Sequence, residues 1–310
     1  MKSNIGRISC LAAVMALVAV ACGDSGATTT TTTTSAPTTT TAATTTTAAT
    51  TTSAATTTTE GQDEGEEIHL EAAPATLTVD GDDSDWESIT GADLELKAIS
   101  TETVESKGAT IKVAYDDTYV YVLLTVEDDF DWDAADAHLS ASTAVMWAVE
   151  EAAGSHMGTD VEGEEEDYTS LGMVDIWHWE LECPIGASQG GEVSDAGDGD
   201  LGNDAGCNFD DEWATDPENR EDDNGDGAEN SLLGVFGHTN PVAGGEGTWI
   251  FEIRRPLETG DPQDAQFVAG TTALMAIAYW DPDNSPEGWD DAEHVQSSYL
   301  GWIEVTLAAG

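Results

Sequence analysis

Gly172-Met173-Val174-Asp175-Ile176-Trp177-His178-Trp179-Glu180 carries the clearest structural pattern in the chain. It carries β-branched and aromatic residues, has no Gly or Pro inside, and is bounded by turn residues, which is the pattern of a strand. With a period of two, Asp175, Trp177 and Trp179 share one face and Val174, Ile176 and His178 the other. Both faces carry large apolar groups, so the strand is expected to be central and covered on both sides. Two Trp on one face make a flat wall that either packs a planar ligand or fills a core. Just upstream stands Ser155-His156-Met157-Gly158. A thioether is a soft metal ligand and Gly permits close backbone approach, so Met157 enters as a candidate ligand.

Working outward, the same alternation recurs. Ala75 to Val79 reads as a strand closed by Asp80-Gly81. Thr110 to Tyr115 and Tyr119 to Val126 alternate across Asp116-Asp117-Thr118, a hairpin signal. Further strands are predicted over residues 143–149, 248–254, 272–280 and 299–307. No long apolar period of 3.6 appears. The expectation is an all-β domain, an antiparallel β-sandwich of the carbohydrate-binding-module or DOMON type. Residues 185–230, rich in Gly, Asp, Glu and Asn, read as one long acidic loop.

The domain occupies residues 68–310. Lys2 and Arg7 precede an apolar run from Cys10 to Ala21, too short to span a bilayer. Ala19-Val20-Ala21-Cys22 resembles a bacterial lipoprotein signal, so residues 1–21 are expected to be removed and Cys22 lipidated. A plain secretory signal is the alternative. Residues 22–67 read as a disordered linker: Ala27 to Thr59 holds only Ala, Thr, Ser and Pro, and Glu60 to Glu67 is acidic. Such a stalk reaches roughly 30 Å as a flexible coil. The expected location is outside the cell, anchored to the membrane.

Eight Lys and Arg stand against 62 Asp and Glu, a formal net charge of −54. Nucleic acid is excluded as a partner, because phosphate contacts need a basic surface. The charge fits adaptation to salt or solubility, or a docking surface for a basic partner such as a cationic electron carrier. With Cys10 and Cys22 accounted for, Cys183 and Cys207 are most simply a disulfide in an exported chain. It would close about 25 residues, worth roughly 3 kcal/mol in the chain-entropy model. A metal-thiolate site is the alternative, without CxxC spacing to support it. Asp222-Asp223-Asn224-Gly225-Asp226-Gly227 opens like an EF-hand calcium loop, but Leu233 stands where the bidentate Glu belongs. A solvated acidic loop is the plainer reading, with Ca²⁺ as the alternative. No Gly-x-Ser-x-Gly, HExxH or phosphate loop is present, so no catalytic residues are assigned and the chain is not expected to be an enzyme.

Several stretches together resemble the haem-binding domain of ethylbenzene-dehydrogenase type, which includes gamma subunits of related molybdenum enzymes. They are Met157-Gly158, Ile176-Trp177-His178-Trp179, the run Trp249 to Leu257 ending Arg255-Pro256-Leu257, Thr259-Gly260-Asp261 with Phe267, and Ala276-Ile277-Ala278-Tyr279-Trp280-Asp281. The resemblance covers residues 75–307 and implies a haem b held by a Met and a C-terminal Lys, serving electron transfer. Met157 matches the Met. No Lys follows Lys112, and His294 stands near the Lys position. The expected axial pair is therefore Met157 and His294 across a slot walled by Trp177, Trp179 and Trp280, with His156 as an alternative ligand. The plainer readings are a gap-filling core Met and a loop His. The opening Val79-Asp80-Gly81 with Asp85-Trp86 and the Tyr115-to-Val126 hairpin also resemble family-nine carbohydrate-binding modules. That resemblance implies the rival function, in which Trp177, Trp179 or Trp280 stacks on sugar rings. A domain that kept the fold and lost its cofactor is a third reading.

Overall fold

The computed structural model describes residues 67–98, 104–133, 139–157, 172–181, 185–186, 188–190, 208–215, 220–222, 231–284 and 294–309. The leader, Cys22, the Thr-rich linker, Cys183 and Cys207 lie outside them. So do residues 223–230 of the calcium-like run. Among the described residues no helix is long and apolar enough to cross a membrane.

Two sheets face each other. One, sheet A, runs β14(Ile303–Leu307), β12(Thr272–Trp280), β5(Ser142–Ala148), β6(Val174–Glu180), β8(Asn208–Ala214) and β9(Arg220–Asp222). The other, sheet B, runs β7(Ser188–Gly190), β10(Leu233–His238), β11(Glu246–Pro256), β4(Tyr119–Asp129) and β3(Lys107–Tyr115), with β2(Gly91–Leu96) on β3. The short β13(Val295–Gln296) adds to β12. The first strand, β1(His69–Pro74), belongs to both sheets: His69 to Ala72 pair with β14, and Ala73 and Pro74 with β3. Both of those pairings are parallel, and every other one is antiparallel. The all-β sandwich expected from the alternation is the fold.

The core lies between the sheets and is dominated by aromatic rings. Trp147 and Trp177 from sheet A meet Phe267, while Trp179 and Phe209 meet Phe236 and Phe251 of sheet B. Burying rings of this size is the main source of stability here, since each removes on the order of 150–250 Å² from water. Gly234 is required for it. A Cβ there would stand 2.5 Å from the Trp179 ring and 2.9 Å from Phe209.

Two sequence expectations change. Residues 75–79 are not a strand. They form a strap over the outer face of sheet B, with Leu77 and Val79 packed near Trp86, Tyr121 and Ile250. Glu252 fastens the strap: it accepts from the Asp80 and Gly81 amides at 2.8 and 2.6 Å and from Trp86 Nε1 at 2.7 Å. The ladder that would have made a strand is replaced by a carboxylate. The second change falls in the stretch read as an acidic loop, where Asn208–Ala214 is a strand paired with β6 along its whole length.

Candidate functional site

Register decides which face each residue occupies. Across sheet A, Trp147 pairs with Asp175, Val145 with Trp177 and Thr143 with Trp179, all facing the core. Trp177 and Trp179 are both 0% exposed. Trp179 stacks on Phe209 with centroids 4.4 Å apart, and Trp177 lies 5.4 Å from Trp147. They are core residues, neither a slot wall nor a platform for sugar.

The outer face of sheet A is where the other candidates meet. Alternation puts Ala144, Met146 and Ala148 of β5, Val174, Ile176 and His178 of β6, and Ala276, Ala278 and Trp280 of β12 on this side. Met157 is buried against them. Its backbone is held by Gln296, which accepts from the Met157 amide at 3.0 Å and donates to its carbonyl at 2.9 Å. The His294 Nε2 lies 3.1 Å from the same carbonyl and 2.9 Å from Gln296 Nε2. Trp280 packs on His294 with centroids 4.5 Å apart and on His178 at 5.5 Å. It is partly exposed, because β12 ends there and the chain leaves the sheet. Trp302, also partly exposed, donates from Nε1 to the Ala153 carbonyl at 3.2 Å. So Met157, His294 and Trp280 are brought together, while Trp177 and Trp179 are not. His156 is partly buried beside Met157.

Behind His178 runs a chain of charges. Its Nδ1 lies 3.3 Å from Glu212 Oε1, and Arg220 Nε lies 3.4 Å from Glu212 Oε2. Burial alone would lower the affinity of His178 for a proton, but the Glu212 charge outweighs it and raises the pKa. Nothing in the sequence signals this pairing, since Glu212 sits in a stretch whose acidity hides its strand.

The core face holds a second polar group. Arg255 is fully buried and donates to Asp175 Oδ2 at 2.5 Å, to the Ala265 carbonyl at 2.8 Å and to Asp211 Oδ1 at 3.2 Å, with Asp264 Oδ1 at 3.4 Å. Its guanidinium lies 4.9 Å over the Trp177 ring. Burial opposes its charge, but the three carboxylates prevail and its pKa is raised. Burial pushes Asp264 up to about 6, and the Asp175 charge adds to this against the pull of Arg255. The group ties both sheets and the segment after β11 together, which is a structural task.

One end of the sandwich is an acidic groove of about 930 Å³. Glu105, Glu127, Asp129, Glu246 and Asp283 line it, and Lys107 is held 2.6 Å from both Asp128 and Asp281. Burial and the charges of Asp129 and Asp283 push Asp131 up to about 6. Such an end repels anions.

No family profile matches the chain, and no curated protein does. Among solved structures it is similar to a carbohydrate-binding module of family 9 from Caldicellulosiruptor kristjanssonii in complex with glucose. The identity is 14% and the TM-score 0.41, over 78% of this chain and 96% of that one. The same module in complex with cellotriose gives 13% and 0.40, over 78% and 94%. A putative carbohydrate-binding protein from Bacteroides uniformis gives 7% and 0.45, over 78% and 99%.

The expectation of haem binding and electron transfer is corrected. The geometry disagrees with haem. Axial ligands must face each other across the macrocycle, whereas His294 bonds to the backbone of Met157 itself. The two Trp expected to wall the slot lie on the opposite face of the sheet. The donor set does not fit the group.

Proposed function

We propose that the sandwich is a sugar-binding module, carried on an exported lipoprotein and holding a neutral glycan without chemically changing it. The observation that carries this reading is Trp280: of the three Trp considered for stacking, it alone is partly exposed, and imidazoles flank it. An indole face buries the C–H face of a pyranose, and polar groups beside it orient the hydroxyls. The net charge of −54 favours uncharged sugars over uronates or sulfated glycans. The lipoprotein-like signal ending at Cys22 supports display on the outer side of a membrane.

Retention on insoluble neutral polysaccharide tests the reading. Wild-type protein is expected to be retarded on cellulose and released by free cellotriose, and Trp280→Ala to pass unretarded. Wild-type protein that is not retarded, or Trp280→Ala that is retarded equally, overturns it.

A further inference from the structure

We infer that His178 is the polar anchor of this face, its Nε2 meeting a hydroxyl of the sugar ring seated at Trp280; the inference rests on the carbohydrate reading. His178 stands in the middle of β6, where a strand flanked on both sides could have carried an aliphatic residue as Val174 and Ile176 do. It is 6% exposed. Its Nδ1 faces Glu212, and an ionised carboxylate only accepts, so Nδ1 carries a proton. Arg220 holds Glu212 from behind, which fixes the ring's orientation. Nε2 has no hydrogen-bond partner among the described residues. A buried nitrogen in that state is unfavourable unless something else satisfies it. The ring centroids of His178 and Trp280 lie 5.5 Å apart, so the buried, unsatisfied nitrogen and the partly exposed indole are neighbours on one face.

The chemistry of the partner follows from the two states of the ring. As neutral imidazole with Nδ1 protonated, Nε2 accepts; as imidazolium, it donates. A hydroxyl both donates and accepts, so it satisfies Nε2 in either state. An ammonium serves only the first and a carbonyl or carboxylate only the second. The buried Glu212 and the nearby Glu180 on the same strand disfavour anions further. A neutral polyol ring is the ligand class that remains.

The test is ¹⁵N NMR of the imidazoles in the purified full chain, titrated with cellotriose and with glucose, together with calorimetry. The His178 Nε2 resonance is expected to move on sugar addition while Nδ1, held by Glu212, moves little. His178→Phe, which keeps a planar ring, is expected to weaken cellotriose binding at least tenfold. Glu212→Gln is expected to weaken it less, because it loosens the ring without removing Nε2. If wild type binds, Trp280→Ala abolishes binding, and the Nε2 resonance does not move, the inference is overturned and the carbohydrate reading stands. If wild type binds neither sugar, both fall. Should His178→Phe fail to fold, the wild-type resonance still decides.

Discussion

Inward from β6 lie Asp175, Trp177 and Trp179; outward lie Val174, Ile176 and His178. The inner set is sealed. Its rings interlock with Trp147, Phe209 and Phe251, and its one charge is met by Arg255 at 2.5 Å. The outer set is small and aliphatic, and its one polar side chain has a nitrogen without a partner among the described residues. A sheet can commit one face to stability and leave the other for binding, and in this chain the larger aromatics went to stability. Aromatic content alone therefore points to the wrong face.

The inner face is the more sensitive to substitution. Replacing Arg255 by Leu leaves three buried carboxylates without their cation, and breaking a buried pair from one side costs about 3–5 kcal/mol. Chemical denaturation should show a loss of that order or an unfolded protein. Trp179→Ala should also cost about 3–5 kcal/mol, through lost transfer energy and the cavity left behind. If either variant is as stable as wild type, the inner face does not hold the fold together.

A milder probe is pH. Burial pushes the Asp264 carboxyl up to about 6, above the usual aspartate range. A raised carboxyl binds its proton more tightly in the folded state. Its contribution is therefore full at pH 4 and below, and declines as pH rises to about 6. In 1 M salt, where the Debye length is about 3 Å and surface repulsion is screened, stability should still fall across that window, by on the order of 2 kcal/mol. Asp264→Asn should flatten the curve. An unchanged slope in the variant assigns the effect to other groups.

Much of the inner face was legible in the sequence. Alternation in Val174–Glu180, the hairpin around Asp116-Asp117-Thr118 and the strand ending in Arg255-Pro256 each appeared with the right side chains together. What stayed hidden had physical reasons. Asn208–Ala214 reads as loop because Asp211 is acidic, and its burial depends on Arg255, 44 residues on in the chain. Ala75–Val79 alternates like a strand, but its neighbour is Glu252, not a ladder. The period of two groups Trp177 with Trp179, yet it does not say which face the second sheet covers. Met157 and His294 are expected from the sequence on opposite sides of a slot; the distances show instead that His294 meets the backbone carbonyl of Met157.

The outer surface answers to salt. With a net charge of −54, self-repulsion weakens the fold at low ionic strength. The melting temperature should rise by a few degrees between about 10 and 150 mM salt, over which the Debye length falls from roughly 30 to 8 Å. A flat or falling response would place the destabilising charges outside the folded residues. The smallest effect on stability is expected at the outer aromatic itself: Trp280→Ala removes a partly exposed ring and should cost about 1 kcal/mol, well short of Trp179→Ala.

That contrast makes isothermal titration with cellotriose the most direct test of the outer face as a sugar site, run on wild type, Trp280→Ala and a folded conservative core variant, Trp179→Phe. The expected result is saturable heat for wild type and Trp179→Phe and none for Trp280→Ala, whose melting temperature stays near wild type. Equal binding by wild type and Trp280→Ala, or no binding by wild type, contradicts the account.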